Sequence, residues 1–242
     1  MLKMIRADLY KVFHRPFFYF LLAGMSALAL LVNFSISRLS AGNTVYNSWM
    51  VVLAYFLSWP VLLMPVLVDL VGAEEFKEHT LKNSVSFGLN RTKLYCSQVT
   101  VSVILGILVG AVALGAYCGS SLLLLKQDPS FTGAFAADFF RRVGVSCIGY
   151  AAAIPIAAFL AMMLQKNSLF VFAFYAVIYL PQLLLNLFHL SGLSKYFLLM
   201  PQFNLIAAGT PGQMTASAAV FAATAVFFVM IGAVFFRKKD IC

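Results

Sequence analysis

What this 242-residue chain lacks above all is charge: Asp, Glu, Lys and Arg make up 10% of it, against roughly a quarter in a soluble domain. So few charged groups cannot cover a water-facing surface of this size, so lipid must cover most of the chain. Cysteine is sparse as well. Cys96, Cys118, Cys147 and Cys242 stand far apart and match no CxxC pattern, which excludes a zinc site and a disulfide scaffold. Cys118 and Cys147 fall in the outer halves of neighbouring apolar segments, but at depths several ångström apart, which disfavours a bridge. The three histidines, His14, His79 and His189, lie in separate regions and make no metal-ligand cluster. With only eight acids no Ser/His/Asp grouping can be argued, so the sequence supports no catalysis by this chain. It has no G-x-x-x-x-G-K-[ST] segment, hence no phosphate-cradling loop. The net charge of +9 rests on just 17 basic residues, mostly on one side of the expected membrane, and a nucleic-acid groove is excluded.

What is present is hydrocarbon. Residues of the AVILMFWYC set make up 62% of the chain and the mean hydropathy is +0.93. A bilayer core takes about 20 mainly apolar residues per helix. Six such runs are predicted: Pro16 to Ser37, Ser48 to Gly72, Gln98 to Leu125, Val143 to Gln165, Leu169 to Phe188 and Thr215 to Phe236. The expected fold is therefore all-α, a polytopic membrane protein with six transmembrane helices in a single domain over 1–242. The first run exceeds the roughly 7–15 apolar residues of a signal peptide and reads as a retained span.

Loop charge sets the orientation. With a cytoplasmic N-terminus, the inner side holds 12 of the 17 bases (Lys3, Arg6, Lys11, Arg15, Lys77, Lys82, Arg91, Lys93, Lys166, Arg237, Lys238 and Lys239). The outer side holds Arg38, Lys126, Arg141, Arg142 and Lys195, with the Arg141-Arg142 pair the main dissent. The reading is a multi-pass protein of the cell membrane, bacterial in type, with both termini cytoplasmic.

The segments between the spans carry their own patterns. Over Met1 to Arg15, Leu2, Ile5, Leu9, Val12 and Phe13 fall on one arc and Lys3, Asp8, Lys11, His14 and Arg15 on the other, which predicts an interfacial amphipathic helix or a basic anchor. The longest polar stretch, 73–98, reads as a cytoplasmic hairpin broken at Gly88-Leu89-Asn90. Seven of the 25 charged residues fall between Glu74 and Lys93. Asp69, near the inner end of the second run, is the one acid inside any span; it is either a functional group or an acid paired at the interface. Lys126 to Arg142 reads as a short mixed loop. The 189–214 stretch is too apolar for a free loop and is cut by Gly192, Pro201, Gly209, Pro211 and Gly212, which predicts a broken re-entrant segment before the last span.

Within the spans, Gly106-x-x-x-Gly110 and Gly115-x-x-x-Gly119 predict close helix approach on two faces of the third. Pro60 and Pro65, Pro155, and Pro181 predict kinks in the second, fourth and fifth. Tyr175, Tyr179, Gln182 and Asn186 share one face of the fifth, a polar stripe that either makes interhelical hydrogen bonds or lines a transport path.

Glu75, Thr80-Leu81-Lys82-Asn83, Ser86, Gly88 and Arg91, set in this six-span layout, resemble the coupling hairpin of permease subunits of type-2 ABC exporters. His79 stands where that family usually has glycine and Val85 where leucine is common. The resemblance covers essentially the whole chain and is nearest to small bacterial drug and lantibiotic-immunity permeases. It implies a hairpin that docks on a separate ABC ATPase through Glu75, Lys77, Glu78, His79, Thr80, Lys82, Asn83, Arg91 and Lys93. It also implies two ATPase copies per complex, ATP and Mg bound by them and no cofactor in this chain, a second permease chain, identical or homologous, and export of an amphipathic peptide or drug. An ion-coupled secondary transporter is the alternative, but only Asp69 and no internal repeat speak for it. A non-transporting scaffold or sensor is the other.

Overall fold

The computed structural model describes residues 1–39, 44–73, 91–164, 167–189 and 198–238. Among them it is helical throughout, with no strand and one isolated bridge between Thr44 and Lys126. An N-terminal helix, α1 (Leu2–Phe13), leads into α2 (Pro16–Leu39). Then comes a segmented stretch: α3 (Val45–Val51), a π-turn (Val52–Phe56), a 3-10 turn (Trp59–Leu63), α4 (Met64–Val68) and a second π-turn (Asp69–Ala73). Four long helices and one short one complete it: α5 (Arg91–Leu124), α6 (Gly133–Leu164), α7 (Asn167–Leu187), α8 (Leu199–Ala208) and α9 (Pro211–Lys238). Five helices, α2, α5, α6, α7 and α9, are long and apolar enough to cross a bilayer, and the bent 45–72 stretch raises the count to six if taken as one span. The architecture is that of an all-α, multi-pass membrane protein.

The bend in the segmented stretch is 53°. Its cause is local. Pro60 and Pro65 have no N–H to give to the carbonyls four residues back, so the ladder tightens to 3-10 at one point and widens to π on either side. The chain nevertheless keeps its direction. Val45 N donates to Lys126 O at 3.1 Å, Trp49 Nε1 to Ser121 Oγ at 2.9 Å, and Gly72 packs on Gln98. The 45–73 stretch thus runs antiparallel to α5 from one end to the other. The Lys126 end is called distal below and the Gln98 end proximal.

Centrality falls to α6, where 56% of the apolar window is buried, against 17% in α7 and in α9. Lipid tails are as apolar as leucine, so close packing rather than hydrophobicity holds such helices together. Small side chains provide it: Ala152, Ala153 and Ala157 are fully buried, and a Cβ on Gly149 would come within 2.7 Å of the Phe203 and Phe221 rings.

Several expectations shift. The third span begins at Arg91 rather than Gln98; at 1.5 Å per residue its helix is about 50 Å long, some 20 Å more than the hydrocarbon core. The fourth begins at Gly133 rather than Val143, so half of the expected Lys126 to Arg142 loop is helix. Thr132 caps it, its Oγ1 accepting from Phe135 N at 3.2 Å, and Phe139 of the added turns packs on Trp49 at 4.5 Å between ring centroids. The last begins at Pro211, a residue suited to a first helical turn, rather than Thr215. Of the expected re-entrant segment, 190–197 lies outside the described residues and α8 is a short helix with Leu199, Met200, Phe203 and Ile206 buried. Among the described residues only Gly106 of the paired glycines meets a neighbour, Leu67 at 3.5 Å; a Cβ on Gly110, Gly115 or Gly119 would find nothing within 4 Å, and at Gly110 this is where the bent stretch parts from α5. Asp8, expected on the polar arc of α1, turns inward instead: it lies three residues from Ile5 and four from Val12, on the face that packs.

Candidate functional site

The proximal end brings together the residues that flank the charged 74–90 segment. Glu75, Lys77, Glu78, His79, Thr80, Lys82 and Asn83 lie outside the described residues. Arg91 opens α5 and Lys93 is exposed within its first turn. Both limbs leading to that segment are held. On the descending limb, Arg15 donates to the Leu70 carbonyl at 3.2 Å; on the returning limb, Ser97 Oγ donates to Asp8 Oδ2 at 3.0 Å. The limbs also touch each other, since the buried Gln98 side chain lies over Gly72, where a Cβ would approach to 2.7 Å. Asp69 begins the final π-turn, half-buried and engaged with its surroundings, one residue from the carbonyl that Arg15 holds. Beside these residues, Tyr95 packs on Phe236 and fits against Gly232 of α9; its buried hydroxyl finds no hydrogen-bond partner among the described residues.

The middle is a joint. Backbone carbonyls released by the broken ladder need partners inside a membrane. Tyr150 of α6 donates to Leu57 O at 2.6 Å and Tyr175 of α7 to Leu62 O at 2.8 Å. Tyr175 of the polar stripe therefore makes an interhelical hydrogen bond. The stripe then diverges from the packed interior: among the described residues Tyr179 is 41% exposed, Gln182 half-buried and Asn186 exposed.

The distal end is a clamp of buried polar groups. Asn33 of α2, fully buried, donates to Tyr117 O at 2.8 Å and Ser120 Oγ at 2.7 Å, and accepts from Ser48 Oγ at 2.9 Å. Ser48 and the Tyr117 hydroxyl lie 2.6 Å apart. Nearby, Arg142 is bound to Asp138 at 2.6 Å and donates to the carbonyls of Ala207 at 3.1 Å and Gly209 at 3.3 Å, as well as to Ile206 O, which neutralises the C-terminal end of α8. Arg141 also pairs with Asp138. The arginine pair that dissented from the charge rule thus has a local structural role. No family model matches the chain, and no curated protein matches it significantly.

Reading the sequence missed both the clamp and the inward turn of Asp8. A signal existed for each: Asn33, Ser48 and Ser120 are polar residues inside apolar runs, and Asp8 falls on the Ile5/Val12 face at helical spacing. Among the described residues no group of three His, Cys, Asp or Glu side chains could hold a metal ion. A stretch held at both ends and bent in the middle lies along a continuous helix of 34 residues, and both lead to the charged 74–90 segment, which lies outside the described residues.

Proposed function

We propose that this chain is the membrane-spanning permease subunit of an ATP-driven exporter of the type-2 ABC class, with six spans, both termini cytoplasmic, and the 73–98 hairpin as the contact for a separate ATPase. The observation that carries the reading is the double hold of the N-terminal segment on the two limbs of that hairpin, Arg15 of the α1–α2 turn to Leu70 and Asp8 of α1 to Ser97. A loop that merely joined two spans would need a few residues and no such bracing. A lever needs a stiff mounting. Force applied at the hairpin would pass along α5 as a strut and reach the second span through a limb that yields at its bend, changing the angle between them.

The sixth span is the bent 45–73 stretch, since it follows α5 from end to end. Partner permease, identical or homologous, would cover the exposed Tyr179, Gln182 and Asn186 face of α7, polar groups that are costly against lipid. The cargo is amphipathic, a peptide or drug, as the resemblance to small drug and lantibiotic-immunity permeases implies. ATP and Mg belong to the ATPase.

Charge reversal at Glu75, Glu78 and Arg91 together tests this reading. The expected result is loss of co-purification with the ATPase and of the permease's stimulation of ATP hydrolysis. Retention of both would refute the hairpin assignment.

A further inference from the structure

A cavity of about 500 Å³ lies beside the bend, within the range of about 300–1,000 Å³ typical of small-molecule sites. Its floor is α5 at Gly106 and Gly110, and its far wall is α6 at Cys147 and Ile154. The mouth faces outward between α2 and the bent stretch, where Leu28 and Trp59 are each 57% exposed. Gly110 has nothing within 4 Å of the place a Cβ would take. The space therefore exists because the bend carries the second span away from α5.

We propose that this cavity is an acyl-chain site, filled by one hydrocarbon tail of a membrane phospholipid. Three features select that occupant. Among the described residues no charged side chain lines the cavity. The hydroxyls that reach its wall are already committed, Tyr117 to Ser48 and Tyr150 to Leu57 O, so little is left to orient a polar molecule, whereas sites for drug-like ligands keep a few polar groups for that purpose. Depth decides the source: Gly110 lies near the middle of the apolar Gln98–Leu125 run, about 15 Å from either edge of the hydrocarbon core, where tails reach and headgroups do not. A void left empty there would forfeit dispersion contacts along its whole lining. A tail in this position braces the bend, which links the lipid to the joint of the second span. The inference rests on placement in a membrane and not on the exporter reading, so it is tested without an ATPase.

The full chain is reconstituted in phosphatidylcholine vesicles containing a phosphatidylcholine with a mid-tail diazirine, irradiated and mapped by peptide digestion. Met64, which lines the cavity and is 2% exposed, and Cys147 are expected to carry adducts, alongside background labelling of outward residues such as Leu183. Gly110→Phe, which fills the cavity, should lower the Met64 and Cys147 adducts several-fold and leave Leu183 unchanged. Ala113→Leu, a smaller filling of the same wall, should give a partial loss and decides the matter if the first variant does not fold. Adducts confined to outward residues, or cavity adducts indifferent to both fillings, would overturn the proposal. So would displacement of the cavity label by the lipophilic cation tetraphenylphosphonium but not by excess unlabelled phosphatidylcholine, a result that would assign the space to cargo.

Discussion

Replacing Asn33 with leucine is expected to destabilise the protein by roughly 2–5 kcal/mol, from three interhelical hydrogen bonds of about 0.6–1.7 kcal/mol each, although leucine is of similar size and more at home in lipid. The residue is fully buried, and its amide ties α2 to α3 and α5 at once through Ser48, Ser120 and the Tyr117 carbonyl. Leucine removes all three bonds and leaves the Ser120 hydroxyl with its own-helix carbonyl alone. Because α2 packs chiefly on α5, loss of this tie loosens the first span as a unit. Melting of the detergent-solubilised protein, followed by tryptophan fluorescence, is the check, since Trp49 is one residue from Ser48 and donates to Ser121 in the same cluster. A melting temperature equal to wild type would show that the clamp is dispensable.

The second large effect is at Arg142. Its guanidinium serves the α8 end through three carbonyls and Asp138 through a pair, with its side chain 15% exposed. Methionine keeps the apolar stem but leaves those carbonyls without their donor and Asp138 with Arg141 alone, at an expected cost of about 2–3 kcal/mol. Lysine should recover part of it, because a single ammonium cannot serve all four acceptors in the geometry of a planar guanidinium. Asp138→Asn should cost under about 1 kcal/mol, since that carboxylate is nearly one-third exposed and solvent screens its pairs. Proteolysis between α7 and α9 is the sensitive readout: Arg142→Met should speed cleavage near α8 while Asp138→Asn leaves it close to wild type. Equal rates in all three proteins would contradict the capping role.

These sites also mark where sequence was readable and where it was not. Apolar run length located every long helix, because a bilayer imposes a length that any window can detect. The kink followed from Pro60 and Pro65, whose missing N–H groups break the ladder there, whereas Pro155 and Pro181 lie inside continuous helices. Helix ends were less legible. Gly133–Arg142 is polar enough to resemble a loop, yet the Thr132 cap and the packing of Phe135, Phe139 and Phe140 around Trp49 make it helix; the cap was in the sequence, the aromatic contact was not. The glycine pairs misled because a small residue permits close approach without supplying a neighbour, and the bend removed the neighbour at Gly110. The Asn33 cluster depends on the relative register of three helices, which no single segment encodes. Similarly, Tyr175 and Tyr179 are one turn apart and look equivalent in sequence, but only Tyr175 faces the freed Leu62 carbonyl.

The proposal that the hairpin meets a motor is tested most directly by a photoreactive amino acid placed at Lys82, in the hairpin, or at Lys126, at the distal end, in the full chain in native membranes. Illumination is predicted to link position 82 to a nucleotide-binding ATPase and to yield no such adduct from position 126. An ATPase adduct from position 126, or none from position 82 while the chain is present and folded, would contradict the account.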